Sequence, residues 1–204
     1  MESYLIFALA AFAFCLATLL FHLIRIIALG KPRDLSQATG KAQSAMPYAF
    51  VGAMSPTRKE SAFLYLPTYV AGIIYHLGTF AALLLFVLIV ANIQPGIIIS
   101  WSLAGFFAIS GLCGFGILIK RMLKSQMRAL SNPDDYISNF IVSAFQWATA
   151  AVLLSGASLP VYLIIAGILF LYIPAGKLKH TVYFFAARYQ LGSFFGHRGV
   201  WPPK

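Results

Sequence analysis

Four histidines are the residues of this chain that are hardest to explain by packing alone: His22, His76, His180 and His197. His76 lies in the stretch GIIYHLGTFAALLLFVLIV, residues 72–90, which is otherwise almost entirely apolar. A polar ring without a partner is costly in apolar surroundings. His76 is therefore either a hydrogen-bonded contact between helices or a ligand of something bound there. The elements around it, and the level of the other histidines, decide between these two interpretations.

The composition indicates that lipid is the solvent of this chain. Of its 204 residues, 60% are hydrophobic and 10% are charged, and the mean hydropathy is +0.83. Soluble domains carry about 25% charged residues, so this chain lacks the polar surface that a water-soluble fold needs. We therefore interpret it as a membrane protein.

Five apolar stretches are long enough to cross a bilayer, since about 20 residues span the hydrocarbon core as a helix. They cover residues 4–27, 66–93, 97–119, 136–154 and 159–185. No internal repeat is visible. We expect one domain, residues 1–204, with an all-α fold: a membrane bundle of five transmembrane helices.

The basic residues predict the orientation of this bundle. All 15 Lys and Arg fall on one side: Arg25, Lys31, Arg33, Lys41, Arg58, Lys59, Lys120, Arg121, Lys124, Arg128, Lys177, Lys179, Arg188, Arg198 and Lys204. The opposite side has only residues 1–3, 94–96 and 155–160. The positive-inside rule places the N-terminus outside and the C-terminus in the cytoplasm. The net charge of +10 is then mainly a topology signal, which argues against nucleic acid as a partner and suits anionic membrane lipid or an acidic subunit.

Two cytoplasmic segments are predicted outside the helices. Residues 29–62 form the longest polar loop, and its Gly and Pro residues are expected to break regular structure. Residues 188–204 form a basic tail, in which Trp201 either docks on a partner subunit or lies at the lipid interface. A short NPDD sequence, residues 132–135, should start the fourth helix.

Two of the histidines are predicted to lie at one depth. His76 is about ten residues from the cytoplasmic start of the second predicted helix, and His180 is roughly five to eight residues before the cytoplasmic end of the fifth. At about 1.5 Å per residue, both lie around 10–15 Å into the helices from the same side. Two facing imidazoles at one level suit a bis-histidine haem b, with the iron between the two nitrogens.

Other residues have a functional and a structural interpretation at this stage. Gly72 and Gly78 flank His76 and would admit a flat macrocycle, but helix packing explains them as well. His22 and Arg25, on the first helix, and Lys177 are candidate surroundings of the haem. For His22 an interfacial structural role is the favoured interpretation, whereas for Arg25 and Lys177 a topology charge is an equally simple explanation. His197 is interpreted as a surface residue, and Cys15 and Cys113 as small hydrophobic residues inside helices.

At this point the sequence resembles a family, the gamma (cytochrome b) subunit of respiratory nitrate reductase, with the related membrane cytochromes of heterodisulfide reductase and of sulfite-reduction complexes. The similarity covers most of the second to fifth helices. It is carried by YHLG at 75–78, IKRML at 119–123, DY at 135–136 with Gln146, PAGKLKH at 174–180 and RYQL at 188–191.

The resemblance implies one haem rather than two. In the nitrate reductase branch, the second and fifth helices each supply two histidines. The haem nearer the cytoplasm would correspond to His76 and His180. The outer pair would fall on Phe86 and Tyr162, and neither is a usual ligand of a bis-histidine haem. The vacated outer half of the bundle is a candidate site for a quinone or a lipid tail.

These observations predict a haem b subunit of a respiratory oxidoreductase in a prokaryotic cytoplasmic (inner) membrane. It would transfer electrons between a membrane quinone and an Fe–S partner subunit at the cytoplasmic face, as part of a complex rather than as a stand-alone enzyme. A haem-free membrane anchor or assembly subunit is the alternative. A small transporter is a weaker third interpretation, because the predicted membrane interior contains no Asp or Glu.

Overall fold

The structure, a computed structural model, describes residues 2–30, 34–58, 60–93 and 95–203. Within these ranges the chain is helical and contains no strand. The helices, in chain order, are α1 (Ser3–Ala28), α2 (Ala42–Phe50), α3 (Glu60–Leu64), α4 (Leu66–Val90), α5 (Ile97–Leu123), α6 (Ser125–Ala129), α7 (Pro133–Leu154), α8 (Leu159–Ala175) and α9 (His180–His197). Among the charged positions used for the topology prediction, Lys31, Arg33, Lys59 and Lys204 lie outside the described residues, as does Gln94 in one of the short turns.

Five helices of the described chain are long and apolar enough to cross a membrane. They are α1, α4, α5, α7 and α8, the last counted with the short turn that precedes it from Gly156. The all-helical, multi-pass character predicted from the sequence is confirmed at this level. Four of the five predicted spans agree with the helices of the structure to within about four residues at each end.

The fifth predicted helix differs from the structure. Residues 159–185 were expected to form one helix, but α8 ends at Ala175 and α9 begins at His180. Pro174 lies in the last turn of α8, and Gly176 follows in an extended conformation with φ −94° and ψ −164°. A Cβ at Gly176 would lie 2.5 Å from the Tyr172 ring. Pro and Gly are the weakest helix formers, so the PAG sequence ends the helix that was predicted to continue to residue 185.

The segment predicted as an irregular loop, residues 29–62, contains the helix α2. Pro47 lies inside this helix, although a proline there removes a backbone hydrogen bond. Packing offsets this loss: Ala45 and Ala49 are fully buried, and a Cβ at Gly196 would lie 2.6 Å from the Ala45 Cβ. Close contact with α9 therefore outweighs the local signal of the proline.

The chain was expected to form one domain, and its contacts divide it into two compact units. The first unit comprises Met1–Leu16 and Pro67–Leu178, and the second comprises Ala17–Leu66 and Lys179–Lys204. The first unit therefore contains nearly all of α4, together with α5, α7 and α8. Helix α1 is divided between the units at Leu16, and the second unit contains its C-terminal part together with α2 and α9.

In the first unit, α5 and α7 pack most closely, and α7 also packs against α8. Glycines make the α5–α7 approach possible. A Cβ at Gly111 would lie 2.4 Å from the Trp147 indole nitrogen, which donates to the Ala108 carbonyl at 3.3 Å. The start of α7 agrees with the prediction from residues 132–135: Asn132 is the N-cap and forms a capping box with Asp135.

In the second unit, α2 packs along α9, and Trp201 near the C-terminal end packs on this pair. Trp201 was expected to dock on a partner subunit or lie at the lipid interface, which stays a prediction. Its ring lies 4.7 Å from that of Phe195 and 5.5 Å from that of Tyr48. Arg198 bonds both oxygens of the Asp34 carboxylate, at 2.6 and 3.2 Å. Hydrogen bonds from Arg198 and Ser36 hold the pKa of Asp34 well below its usual range, so this ion pair persists at neutral pH.

Candidate functional site

His76 lies on α4 with its side chain exposed. Its Nδ1 lies 2.7 Å from the carbonyl oxygen of Gly72, one turn earlier. A carbonyl only accepts hydrogen bonds, so Nδ1 must carry the proton of this bond. In the neutral ring Nε2 then carries the lone pair that a metal ion requires. The imidazole is therefore oriented by its own helix and presents Nε2 as a potential ligand.

The surface beside this imidazole is apolar. Ile73, Leu77 and Phe80 lie on the same side of α4 and are 44%, 57% and 57% exposed. A single oriented histidine within an apolar stripe is what a flat, largely apolar macrocycle with a central metal needs on one of its faces. If a haem is bound here, His76 would hold its iron and the apolar residues of α4 would contact its macrocycle.

The opposite face of α4 is held by polar side chains of α5 and α7. Ser110 donates to the Ile74 carbonyl at 3.0 Å, and Gln146 donates through Nε2 to the Tyr75 carbonyl at 3.0 Å. Ser110 and Gln146 are both 0% exposed. The two peptide carbonyls directly before His76 are therefore both bonded to other helices.

Tyr75 itself fills the gap between α5 and α7. Its hydroxyl donates to the Asn139 carbonyl at 2.9 Å and accepts from Ser143 at 3.3 Å. Its ring lies over Gly114, where an added Cβ would come within 2.2 Å of it. The residue before His76 is thus fixed by a hydrogen bond and by close packing.

The two glycines near His76 have different environments. Gly78 is buried, and a Cβ there would lie 2.0 Å from the Ser110 hydroxyl and 2.6 Å from its Cβ. Gly72 has open space, since a Cβ there would meet no atom within 4 Å. Close approach of α4 and α5 accounts for Gly78 without a cofactor, whereas Gly72 contributes only its carbonyl to His76.

Replacing Gly78 by Ala is expected to destabilise the protein by about 1–3 kcal/mol, because overpacking a tight interface forces the backbones apart. Gly72→Ala is the matched control on the same helix. It should be neutral or slightly stabilising, since Ala is the better helix former by about 1 kcal/mol. Thermal unfolding in detergent measures both. Equal melting temperatures for the two variants would contradict the close α4–α5 approach.

The other predicted ligand, His180, belongs to the second unit. It is exposed and is the first residue of α9. Because α8 ends five residues earlier, counting residues along a continuous helix no longer gives the depth of His180. The premise of the matched-depth argument was wrong for this residue, and the pairing of the two histidines stays a prediction.

His22 and Arg25 also lie in the second unit, near the end of α1. The His22 Nδ1 lies 3.4 Å from the Tyr183 hydroxyl, and their rings are 6.0 Å apart. Arg25 is exposed in the last turn of the helix. His197 lies at the end of α9, where its Nε2 donates to the Ser36 carbonyl at 2.9 Å. This contact gives His197 a structural role within its own unit.

Lys177, a candidate for the haem surroundings, is bonded to a carboxylate of its own unit. Its ammonium forms an ion pair with Asp135, whose side chain is 6% exposed. Arg121 approaches the same carboxylate at 3.7 Å and donates to Ser131 at 2.8 Å. Two cations thus share one buried acid at the start of α7, and removal of that acid would leave them unbalanced.

The positions at which the resemblance implies an outer haem are filled by aromatic rings. Phe86 and Tyr162 are 1% and 0% exposed, and their ring centroids lie 6.3 Å apart. Phe170 packs against Phe86 at 4.7 Å, and Phe145 stacks on Tyr162 at 5.8 Å. Phe12 of α1 closes this cluster at 5.4 Å from Phe86. A second macrocycle, or a quinone head group, would have to displace these rings.

Sequence reasoning missed most of the polar contacts behind His76. Ser110, Asn139 and Ser143 were given no role, and Gln146 entered only through the resemblance. A signal was present: buried polar residues recur along α7 at spacings of three residues, with one gap of five, namely Asp135, Ser138, Ser143, Gln146 and Thr149. Within a membrane helix such a stripe indicates contact with other helices.

Comparison with protein-family models, with curated proteins and with solved structures found no match to this chain.

Proposed function

We propose that this chain is the haem b membrane subunit of a prokaryotic respiratory oxidoreductase, with His76 and His180 as the axial ligands. The observation that carries this proposal is the state of the His76 imidazole. Its proton is on Nδ1, bonded to the Gly72 carbonyl at 2.7 Å, and Nε2 is left for a metal. Histidine ligands of metals typically donate their other ring N–H to a carbonyl or carboxylate in this way.

The apolar stripe of Ile73, Leu77 and Phe80 supports the choice of haem over a bare metal ion. Among the described residues, no group of three or more His, Cys, Asp or Glu side chains is arranged to hold a metal ion. A haem needs only axial ligands from the protein, because its macrocycle supplies the other four nitrogens. When bound, it would supply one-electron transfer.

The orientation and the partner form part of the same proposal. The basic residues at the ends of α1, α5 and α9 face the cytoplasm, and the N-terminus lies outside. A soluble Fe–S subunit with an acidic surface would dock at this basic end, and a membrane quinone would be the other redox partner. Anionic lipid would contact the same basic residues. The aromatic cluster around Phe86 argues against a quinone head group inside that part of the first unit.

A visible spectrum of the purified protein tests the proposal. Full-length protein from membranes should show a haem b absorption that sharpens on reduction with dithionite. The pyridine haemochrome of the same sample identifies the porphyrin. Protein that is folded and stable but lacks this absorption, after expression with adequate haem supply, would favour the haem-free anchor instead.

A further inference from the structure

We propose that Ser110 and Gln146 are positioning residues for the His76 imidazole, acting through the backbone of α4 rather than by touching the ligand. This inference rests on the proposed function and adds to it the residues that fix how the ring is presented. The observation is a pair of interhelical hydrogen bonds onto consecutive peptide units, those of Ile74 and Tyr75.

The two bonds come from different helices. Ser110 is on α5 and Gln146 is on α7, so α4 is held from two directions at one level. Most interhelical contacts in membranes join side chains or small residues, and their hydrogen bonds contribute about 0.6 kcal/mol on average. Bonds onto backbone carbonyls do more than add stability, because they fix the axial rotation and height of the helix at that point.

The direction of each hydrogen bond follows from its chemistry. The Tyr75 carbonyl only accepts, and the Thr79 hydroxyl lies 2.7 Å from it, so Thr79 donates to this carbonyl. The Thr79 oxygen therefore accepts from the Gln146 Nε2 at 2.8 Å. Gln146 thus uses both of its amide hydrogens on α4, one on Tyr75 and one on Thr79. The residues on both sides of His76 are linked to α7 through one side chain.

Close packing makes this arrangement stiff. The Gln146 Oε1 has no hydrogen-bond partner within the part of the chain that the structure describes. A Cβ built at Gly78 would lie 3.2 Å from it. The amide therefore lies close to the α4 backbone at Gly78, where a side chain would crowd it.

The ring of His76 follows the backbone that Ser110 and Gln146 hold. Its Nδ1 donates to the Gly72 carbonyl of the same helix, so the orientation of the imidazole is set by α4 and not by a neighbouring helix. A shift or rotation of α4 would move Nε2 by a comparable amount. Contacts that orient a ligating histidine also tune the metal that it would hold.

Three variants separate positioning from general packing. Gln146→Leu removes both donors onto α4, and Ser110→Ala removes the donor to Ile74. Thr149→Val is the matched control. Thr149 is also fully buried on α7, but its hydroxyl donates to Phe145 of its own helix at 2.8 Å. Each full-length protein is purified with its haem. Redox titration and low-temperature EPR then measure the reduction potential and the g values.

The expected result is a shifted potential and shifted g values for Gln146→Leu and Ser110→Ala, with Thr149→Val unchanged. Haem affinity should fall in Gln146→Leu by up to about tenfold, the lower end of the loss expected when a direct outer partner of a metal ligand is removed, because Gln146 acts on the α4 backbone and not on the ring. If Gln146→Leu does not accumulate, Ser110→Ala, which removes a single hydroxyl, decides the question.

Two outcomes overturn the inference in distinguishable ways. Wild-type protein without haem removes both the proposed function and the positioning role. Wild-type protein with haem, but with identical potentials and g values in all three variants, leaves the function standing. It would reduce Ser110 and Gln146 to ordinary contacts between helices.

Discussion

Protein carrying His76→Ala is expected to lose its haem, and the same loss is expected for His180→Ala. Removing an outer partner of a metal ligand already costs about 10–100-fold in affinity, so removing an axial nitrogen should cost more. The haem content per polypeptide, measured by pyridine haemochrome on purified protein, should fall at least about tenfold. The two substitutions test the two proposed ligands one at a time. His76 lies in the first unit and His180 in the second.

His197→Ala is the matched control for the ligand variants. It also removes an imidazole from α9, but this ring is half-buried and its Nε2 donates to the Ser36 carbonyl. Its haem content should equal that of the wild type. Normal haem in both His76→Ala and His180→Ala would refute the ligand assignment. Loss in His76→Ala alone would leave His76 as a ligand and require another residue opposite it.

The sequence was sufficient to predict the membrane-spanning helices, because length and hydropathy are the properties that a bilayer selects. It failed where local sequence and tertiary packing compete. The fifth predicted span was continued through residues 174–180, yet Pro174 and Gly176 end α8. Conversely, Pro47 suggested irregular structure, yet burial of Ala45 and Ala49 holds α2 in a helix.

The candidate site likewise has features that the sequence predicted and features that it did not. His76 was recognisable because one imidazole in an apolar run needs a partner or a ligand. Its hydrogen bond to Gly72 was not predictable, since that depends on a rotamer. The contacts of Ser110 and Gln146 depend on which faces of α4, α5 and α7 meet. Single-sequence periodicity identifies a polar face but does not say which backbone atoms that face will reach.

The charged residues show that assigning a cation to one side of the membrane does not identify its role. Lys177 was grouped with the topology charges and with the haem surroundings. Its ion pair with Asp135, together with Arg121 nearby, shows a third use: balancing a carboxylate that caps α7. Asp135 lies at the very edge of the predicted fourth span, so hydropathy gave it no weight.

The second large expected effect concerns stoichiometry: purified protein should contain one haem iron per polypeptide. A bis-histidine haem at the outer position needs nitrogen ligands where this chain has Phe86 and Tyr162. Both side chains are buried, and neither has a nitrogen to offer. Phe12, Phe145 and Phe170 pack around them with centroid distances of 4.7–5.8 Å to one or the other.

The packing of these rings is a second reason, besides the missing nitrogen ligands, to expect one haem per polypeptide. Aromatic pairs of this kind contribute about 0.5–1.5 kcal/mol each, so separating the rings to admit a macrocycle would forfeit these contacts. The iron content by atomic emission, divided by the polypeptide concentration from amino-acid analysis, gives the number directly. A ratio near one, lost in His76→Ala, agrees with a single site. A ratio near two, with both haems retained after separation from other subunits, would require the aromatic cluster to open and would contradict the single-haem assignment.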